Sequence, residues 1–99
     1  MAVNPLAAIE TLDPELYKLV ETSRDFSIND GALPKKVKYL IAMALDASHG
    51  AEGGVASLAR AAMNAGATKE EIAEALRVAH FVSGVGSVYT AGRGLSGLF

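Results

Sequence analysis

Leu33-Pro34-Lys35-Lys36-Val37-Lys38-Tyr39-Leu40-Ile41-Ala42-Met43-Ala44-Leu45-Asp46-Ala47-Ser48 is the stretch on which the fold is decided. Proline at its head suits the start of a helix, where a missing N–H costs nothing. Val37, Leu40, Ile41, Ala44, Leu45 and Ser48 then recur at spacings of three and four, which places them on one helical stripe and predicts an amphipathic core helix. His49-Gly50 follows, and glycine just past the last periodic residue is a helix stop.

Working outward, the same punctuation repeats. Asn4-Pro5 and Asp13-Pro14 each set a capping side chain before a proline at the first helical position, so two short helices are expected to begin there. The second carries Leu16, Tyr17, Leu19 and Val20 on one face before the polar Ser27-Ile28-Asn29-Asp30-Gly31. Downstream, a helix is expected to start between Glu52 and Val55, with Val55, Leu58, Ala59, Ala62 and Met63 inward and Gly66 as its stop. Thr68-Lys69-Glu70-Glu71 is a capping box: the Thr68 hydroxyl accepts from the Glu71 N–H while the Glu71 carboxylate reaches back. The helix it opens should bury Ile72, Ala75, Leu76 and Ala79. Gly84 and Gly86 break the chain, and Ser87 to Leu98 is expected to be helical only where something packs on it. No segment alternates apolar and polar residues long enough to form a half-buried strand. The class is all-α, an antiparallel bundle of about five to six helices, with no linker or repeat dividing residues 1–99, so one domain is expected.

Composition narrows the function classes. The chain has 99 residues, 51% of them hydrophobic, and a chain so short hides little apolar surface in its own core, which favours an oligomer. A net charge of −2 with dispersed lysines and arginines offers no pull toward nucleic acid or anionic membrane. The longest apolar run, Tyr39 to Leu45, is too short to cross a bilayer and no basic leader precedes an apolar stretch, so a cytoplasmic location is expected. There is no cysteine, which removes disulfides, thiolate ligands and thiol nucleophiles at once.

Two stretches, Leu33 to Ala44 and Ala59-Arg60-Ala61-Ala62-Met63-Asn64-Ala65-Gly66-Ala67-Thr68-Lys69-Glu70-Glu71-Ile72, together with Ala79 to Ser87, resemble the carboxymuconolactone decarboxylase and alkyl hydroperoxidase D family in order and spacing. The resemblance implies an antiparallel helical domain that assembles into dimers, trimers or hexamers, with active sites near subunit contacts. Members of that family that reduce peroxides carry a Cys-x-x-Cys pair ahead of the Gly-Ala-Thr turn, a histidine four residues after the second cysteine, and a glutamate one helix earlier. Counted back from Gly66, those places hold Ala51, Gly54, Leu58 and Tyr39. The family's thiol peroxidase chemistry therefore does not carry over.

What remains for chemistry is the junction Asp46-Ala47-Ser48-His49-Gly50-Ala51-Glu52. Asp46 and His49 are three apart, so a helix persisting that far would let the carboxylate orient the imidazole as an acid/base pair, with Glu52 as a second carboxylate. The plainer reading makes His49 a cation at a helix C-terminus and leaves both carboxylates in water. His80, among Val78, Ala79, Phe81 and Val82, would complete a metal site if it met His49 and Glu52; otherwise it is a hydrogen-bonded helix residue. Lys35, Lys36 and Lys38 crowd a helix N-terminus, where they either attract a carboxylate ligand or simply project into water. Gly84-Val85-Gly86 lacks the strand and pattern of a dinucleotide loop, and the Thr68 to Val82 helix lacks the setting of a DNA reader.

The sequence thus points to a cofactor-independent decarboxylase or lactone-handling enzyme acting on a small carboxylate, with Asp46, His49, Glu52 and His80 as catalytic candidates. Neither a cofactor nor a bound metal is expected, and the expected partner is the chain itself, as a trimer or hexamer. The competing readings are a non-catalytic oligomer that binds a small molecule or another protein, and an inactive relative of the hydroperoxidases.

Overall fold

The computed structural model describes residues 4–99, and among them every regular element is a helix: α1 (Pro5–Leu12), α2 (Pro14–Ile28), α3 (Lys35–Ser48), α4 (Glu52–Asn64), α5 (Lys69–Ser83) and α6 (Gly86–Leu95). The starts follow from cap chemistry. Asn4 Oδ1 accepts from the Leu6 N–H and Asp13 Oδ1 from the Leu16 N–H, each ahead of its proline. At Thr68 both halves of the capping box are closed: the Glu71 N–H donates to the Thr68 hydroxyl and the Thr68 N–H donates to Glu71 Oε1 at 2.8 Å.

The stops are equally local. At the end of α3 the Ala51 N–H donates to the Asp46 carbonyl and the Gly50 N–H to the Ala47 carbonyl, with Gly50 at φ 78°. Ala67 and Gly66 repeat the pattern on the Ala62 and Met63 carbonyls, with Gly66 at φ 102°. Both are Schellman turns, which need a left-handed residue that glycine supplies without steric cost. Two boundaries differ from expectation. α2 runs on through Ser27 and Ile28, and α6 spans Gly86–Leu95 rather than Ser87 to Leu98, ending earlier while Leu98 still packs on the core.

Helices α3 to α6 form the body. α3 and α4 make an antiparallel hairpin, α5 packs on α3, and α6 packs on α4, α5 and α3. Met43, Ala47, Val55, Ala59, Ile72 and Ala91 form the buried centre, with Leu40, Leu58, Met63, Ala75 and Leu76 around it. Small residues dominate, so the helix backbones approach closely. At the tightest point a Cβ on Gly94 would lie 2.6 Å from the Glu52 carbonyl oxygen and 3.1 Å from Val55 Cβ.

The α3 stripe expected to form the core does something else. Met43 and Ala47 are the residues of α3 that are fully buried, whereas Ile41 and Leu45 of the stripe stay about half exposed. α3 is apolar on more than one face, and here the one with Met43 and Ala47 is buried in the core while the one with Val37, Ile41 and Leu45 turns toward α5. α1 and α2 pack on one another and α2 meets α3, yet neither contains a buried residue. The expected apolar face of α2, with Leu16, Leu19 and Val20, is therefore uncovered within this chain.

Candidate functional site

The uncovered α3 stripe forms one wall of an open trough of about 470 Å³ whose other wall is α5. Val37, Leu40, Ile41, Ala44 and Leu45 face Ala75, Val78, Ala79 and Val82, so the trough is apolar along most of its length. Polar groups gather at one end, where α3 stops: Ser48, His49 and Ser83. The Ser83 hydroxyl donates to Ser48 Oγ at 2.9 Å, and the Ser48 hydroxyl donates to the Ala44 carbonyl at 3.0 Å. This relay leaves the Ser83 oxygen free to accept from a ligand. His49 caps α3 with its backbone, its N–H donating to the Leu45 and Asp46 carbonyls, and its exposed side chain borders the trough.

Of the four acid/base candidates, His49 alone lines the trough. Asp46 is half-buried on the other side of the α3–α4 turn, against α4. A Cβ built on Gly54 would overlap its carboxylate, with Asp46 Cγ only 2.7 Å away. Asp46 thus fills the space that any side chain at position 54 would need. No side-chain hydrogen bond or ion pair joins Asp46 to His49 among the described residues: His49 has left the helical path, at φ −94° and ψ 2°, and the one-face spacing ends with it.

Glu52 opens α4, and its Oε1 accepts from Arg93 Nε of α6 at 2.7 Å. His80 is exposed on α5 and lies outside the trough lining. Among the described residues no three histidine, aspartate or glutamate side chains gather as a metal-ligand set, so His49, Glu52 and His80 do not converge. The first-turn lysines of α3 are engaged within the chain. Lys36 Nζ lies 3.0 Å from Glu71 Oε2, Lys38 Nζ donates to the Asn29 carbonyl at 2.7 Å, and the Lys35 N–H donates to Asp30 Oδ1. Asp30 is thus the anion at that helix start. Glu71 titrates below the ordinary carboxylate range because it accepts the Thr68 N–H and, next, the Lys36 ammonium.

Ser83 and Arg93 were not singled out in the sequence. Ser83 is one polar residue after Phe81-Val82, and Arg93 meets Glu52 across 41 positions, where no local pattern registers. Of the other positions counted back from Gly66, Leu58 packs on the core, Tyr39 is half-buried on α3, and Ala51 precedes α4.

Fold and trough together define an all-α helical protein with an apolar groove and a hydroxyl–imidazole end. A model of the carboxymuconolactone decarboxylase family matches residues 14–93, which takes in α2 to α5 and most of α6. Among solved structures, the apo form of a carboxymuconolactone decarboxylase family protein from Legionella pneumophila is similar, with 33% identity and a TM-score of 0.86 over 92% of this chain and 81% of that one. No curated protein matches the chain. The chain belongs to the carboxymuconolactone decarboxylase family, in a form with no cysteine. No helix among the described residues is long and apolar enough to cross a membrane.

Proposed function

We propose that the chain is an oligomeric, cofactor-independent enzyme that handles a small carboxylate or carboxylated lactone at the His49 end of the α3–α5 trough. The observation that carries this reading is the meeting of one imidazole and two hydroxyls with an otherwise apolar groove. In a decarboxylation there, the C–CO2 bond breaks, its electron pair passes into a carbonyl conjugated within the substrate, and a protonated His49 returns a proton to carbon. Apolar walls favour the step because water stabilises the localised charge of a carboxylate more than the delocalised charge that forms from it, and the walls keep that water away. Asp46, Glu52 and His80 then act through position or stability, not on substrate. Assembly as a trimer or hexamer belongs to the same reading.

A second reading, binding without turnover, is favoured by one observation. Glu52 is held by Arg93 and Asp46 by its place against Gly54, so His49 lacks an orienting carboxylate. The test is carbon dioxide release or ring opening from small carboxylated lactones, with His49→Ala and His80→Ala compared at equal oligomer mass. The enzyme reading requires turnover that His49→Ala abolishes and His80→Ala spares. Calorimetric binding of the same compounds with no turnover by the unaltered chain would replace it with the second.

A further inference from the structure

The α3–α5 trough divides into two parts of different chemistry. From Val37 to Leu45 its α3 wall runs about 12 Å by the helical rise, and each lining residue there, as from Ala75 to Val82 opposite, is apolar. Among the described residues, no lysine, arginine, aspartate or glutamate lines any part of it. Its volume of about 470 Å³ lies in the range of small-molecule sites.

The polar end has no hydroxyl proton left to offer. A hydroxyl carries one proton. Ser48 gives its own to the Ala44 carbonyl, so the proton in the Ser48–Ser83 contact is that of Ser83. The exposed Ser83 Oγ is left with lone pairs alone. Helix polarity acts in the same sense. Ser48 and Ser83 are the last residues of α3 and α5, and neither α4 nor α6 contributes to the lining, so both helix ends at this point are C-termini. A helix C-terminus carries partial negative charge and disfavours anions. The imidazole of His49 is the one side-chain donor among the lining residues. With no carboxylate in the lining, a cationic head finds no counter-charge.

We propose that the trough binds a medium-chain amphiphile whose tail is hydrocarbon and whose head is uncharged, with one hydrogen-bond donor and one acceptor: a primary carboxamide or an undissociated carboxylic acid. The tail lies between Ile41 and Val78, the head N–H or O–H donates to Ser83 Oγ, and the head carbonyl accepts from the His49 ring. The inference rests on the proposed function for the use of this site by a small molecule, and it names that molecule by tail and head. A carboxylate is held weakly at such an end, in keeping with its ready decarboxylation there.

The experiment is a chemical-shift titration of the isotope-labelled full-length chain with octanamide, hexanamide, methyl octanoate and octanoate, at a pH where octanoate is ionised, repeated on Ser83→Ala. Backbone amide shifts should centre on Ile41, Leu45, Val78 and Ser83. Octanamide should bind about three- to tenfold tighter than methyl octanoate, the worth of one hydrogen bond, with octanoate the weakest of the three. Hexanamide should bind weaker by about two- to fourfold per methylene lost. Ser83 is exposed, so Ser83→Ala keeps the fold. It should bring octanamide down to the affinity of the ester and leave the ester unchanged. The proposal is overturned by octanoate binding as tightly as octanamide, by an amide preference that survives Ser83→Ala, or by a trough that none of these probes shifts because a protein segment fills it. Amide preference without turnover of any carboxylated lactone supports the proposal and removes the catalytic reading; turnover without the preference does the reverse.

Discussion

Gly94→Ala and Gly92→Ala are the same chemical change two positions apart on α6, yet they should move stability in opposite directions. At position 94 the added Cβ falls 2.6 Å from the Glu52 carbonyl oxygen and 3.1 and 3.3 Å from Val55 Cβ and Cγ1. The first neighbour is backbone and the second belongs to a fully buried side chain, so neither yields without α4 shifting. Overpacking of this kind costs about 1–3 kcal/mol, and the better helix propensity of alanine returns at most ~1 kcal/mol, for a net loss near 1–2 kcal/mol. At position 92 no heavy atom lies within 4 Å, so the propensity gain stands alone and stabilises by about 0.5–1 kcal/mol. For a domain of this size 1 kcal/mol moves the melting temperature by roughly 4–8 °C, so the two variants should melt about 6 °C or more apart, on either side of the unaltered chain. Thermal melts followed by circular dichroism at equal protein concentration measure this. A Gly94→Ala protein that melts at or above the unaltered chain would show that α4 and α6 are not packed backbone to backbone.

Four other outcomes are expected. Gly54→Ala should cost about 1 kcal/mol in the native background, because Asp46 must turn away, but should stabilise by up to ~1 kcal/mol once Asp46→Ala has cleared the space; a coupling near zero in denaturant melts would count against their contact. Thr68→Ala should destabilise by about 1 kcal/mol through loss of the cap. Glu71, whose carboxyl is lowered on folding, contributes stability that is present above its unfolded titration range and lost as pH falls through its folded value. Glu71→Gln should therefore flatten the acid limb of a stability–pH curve, and a limb unchanged from that of the native chain would contradict this assignment. Glu52→Gln should change stability by no more than about 1 kcal/mol, less at high salt, because the Arg93 pair is half exposed.

Helix count and most boundaries were legible because their determinants lie within five residues of one another. Asn4-Pro5, Asp13-Pro14, the Thr68–Glu71 box and the Gly50 and Gly66 turns each satisfy terminal backbone groups with neighbours in sequence. The family resemblance was legible in the same way, as was the lack of sulfur chemistry, which is a matter of composition. The candidate site was only partly so. His49 was placed correctly at a helix end beside apolar residues, but spacing suggested an Asp46–His49 pair that the turn geometry does not form.

The sequence by itself settled where helices begin and end and which reactive groups are absent, since capping and composition act locally or not at all. Tertiary structure decided which face of α3 is core, that Asp46 rests on Gly54, that Glu52 meets Arg93, and that α6 touches the α4 backbone at Gly94. Those choices depend on the volumes and directions of side chains brought together across tens of residues. In a chain this rich in alanine, hydrophobicity along one helix does not rank its faces; close packing between helices does.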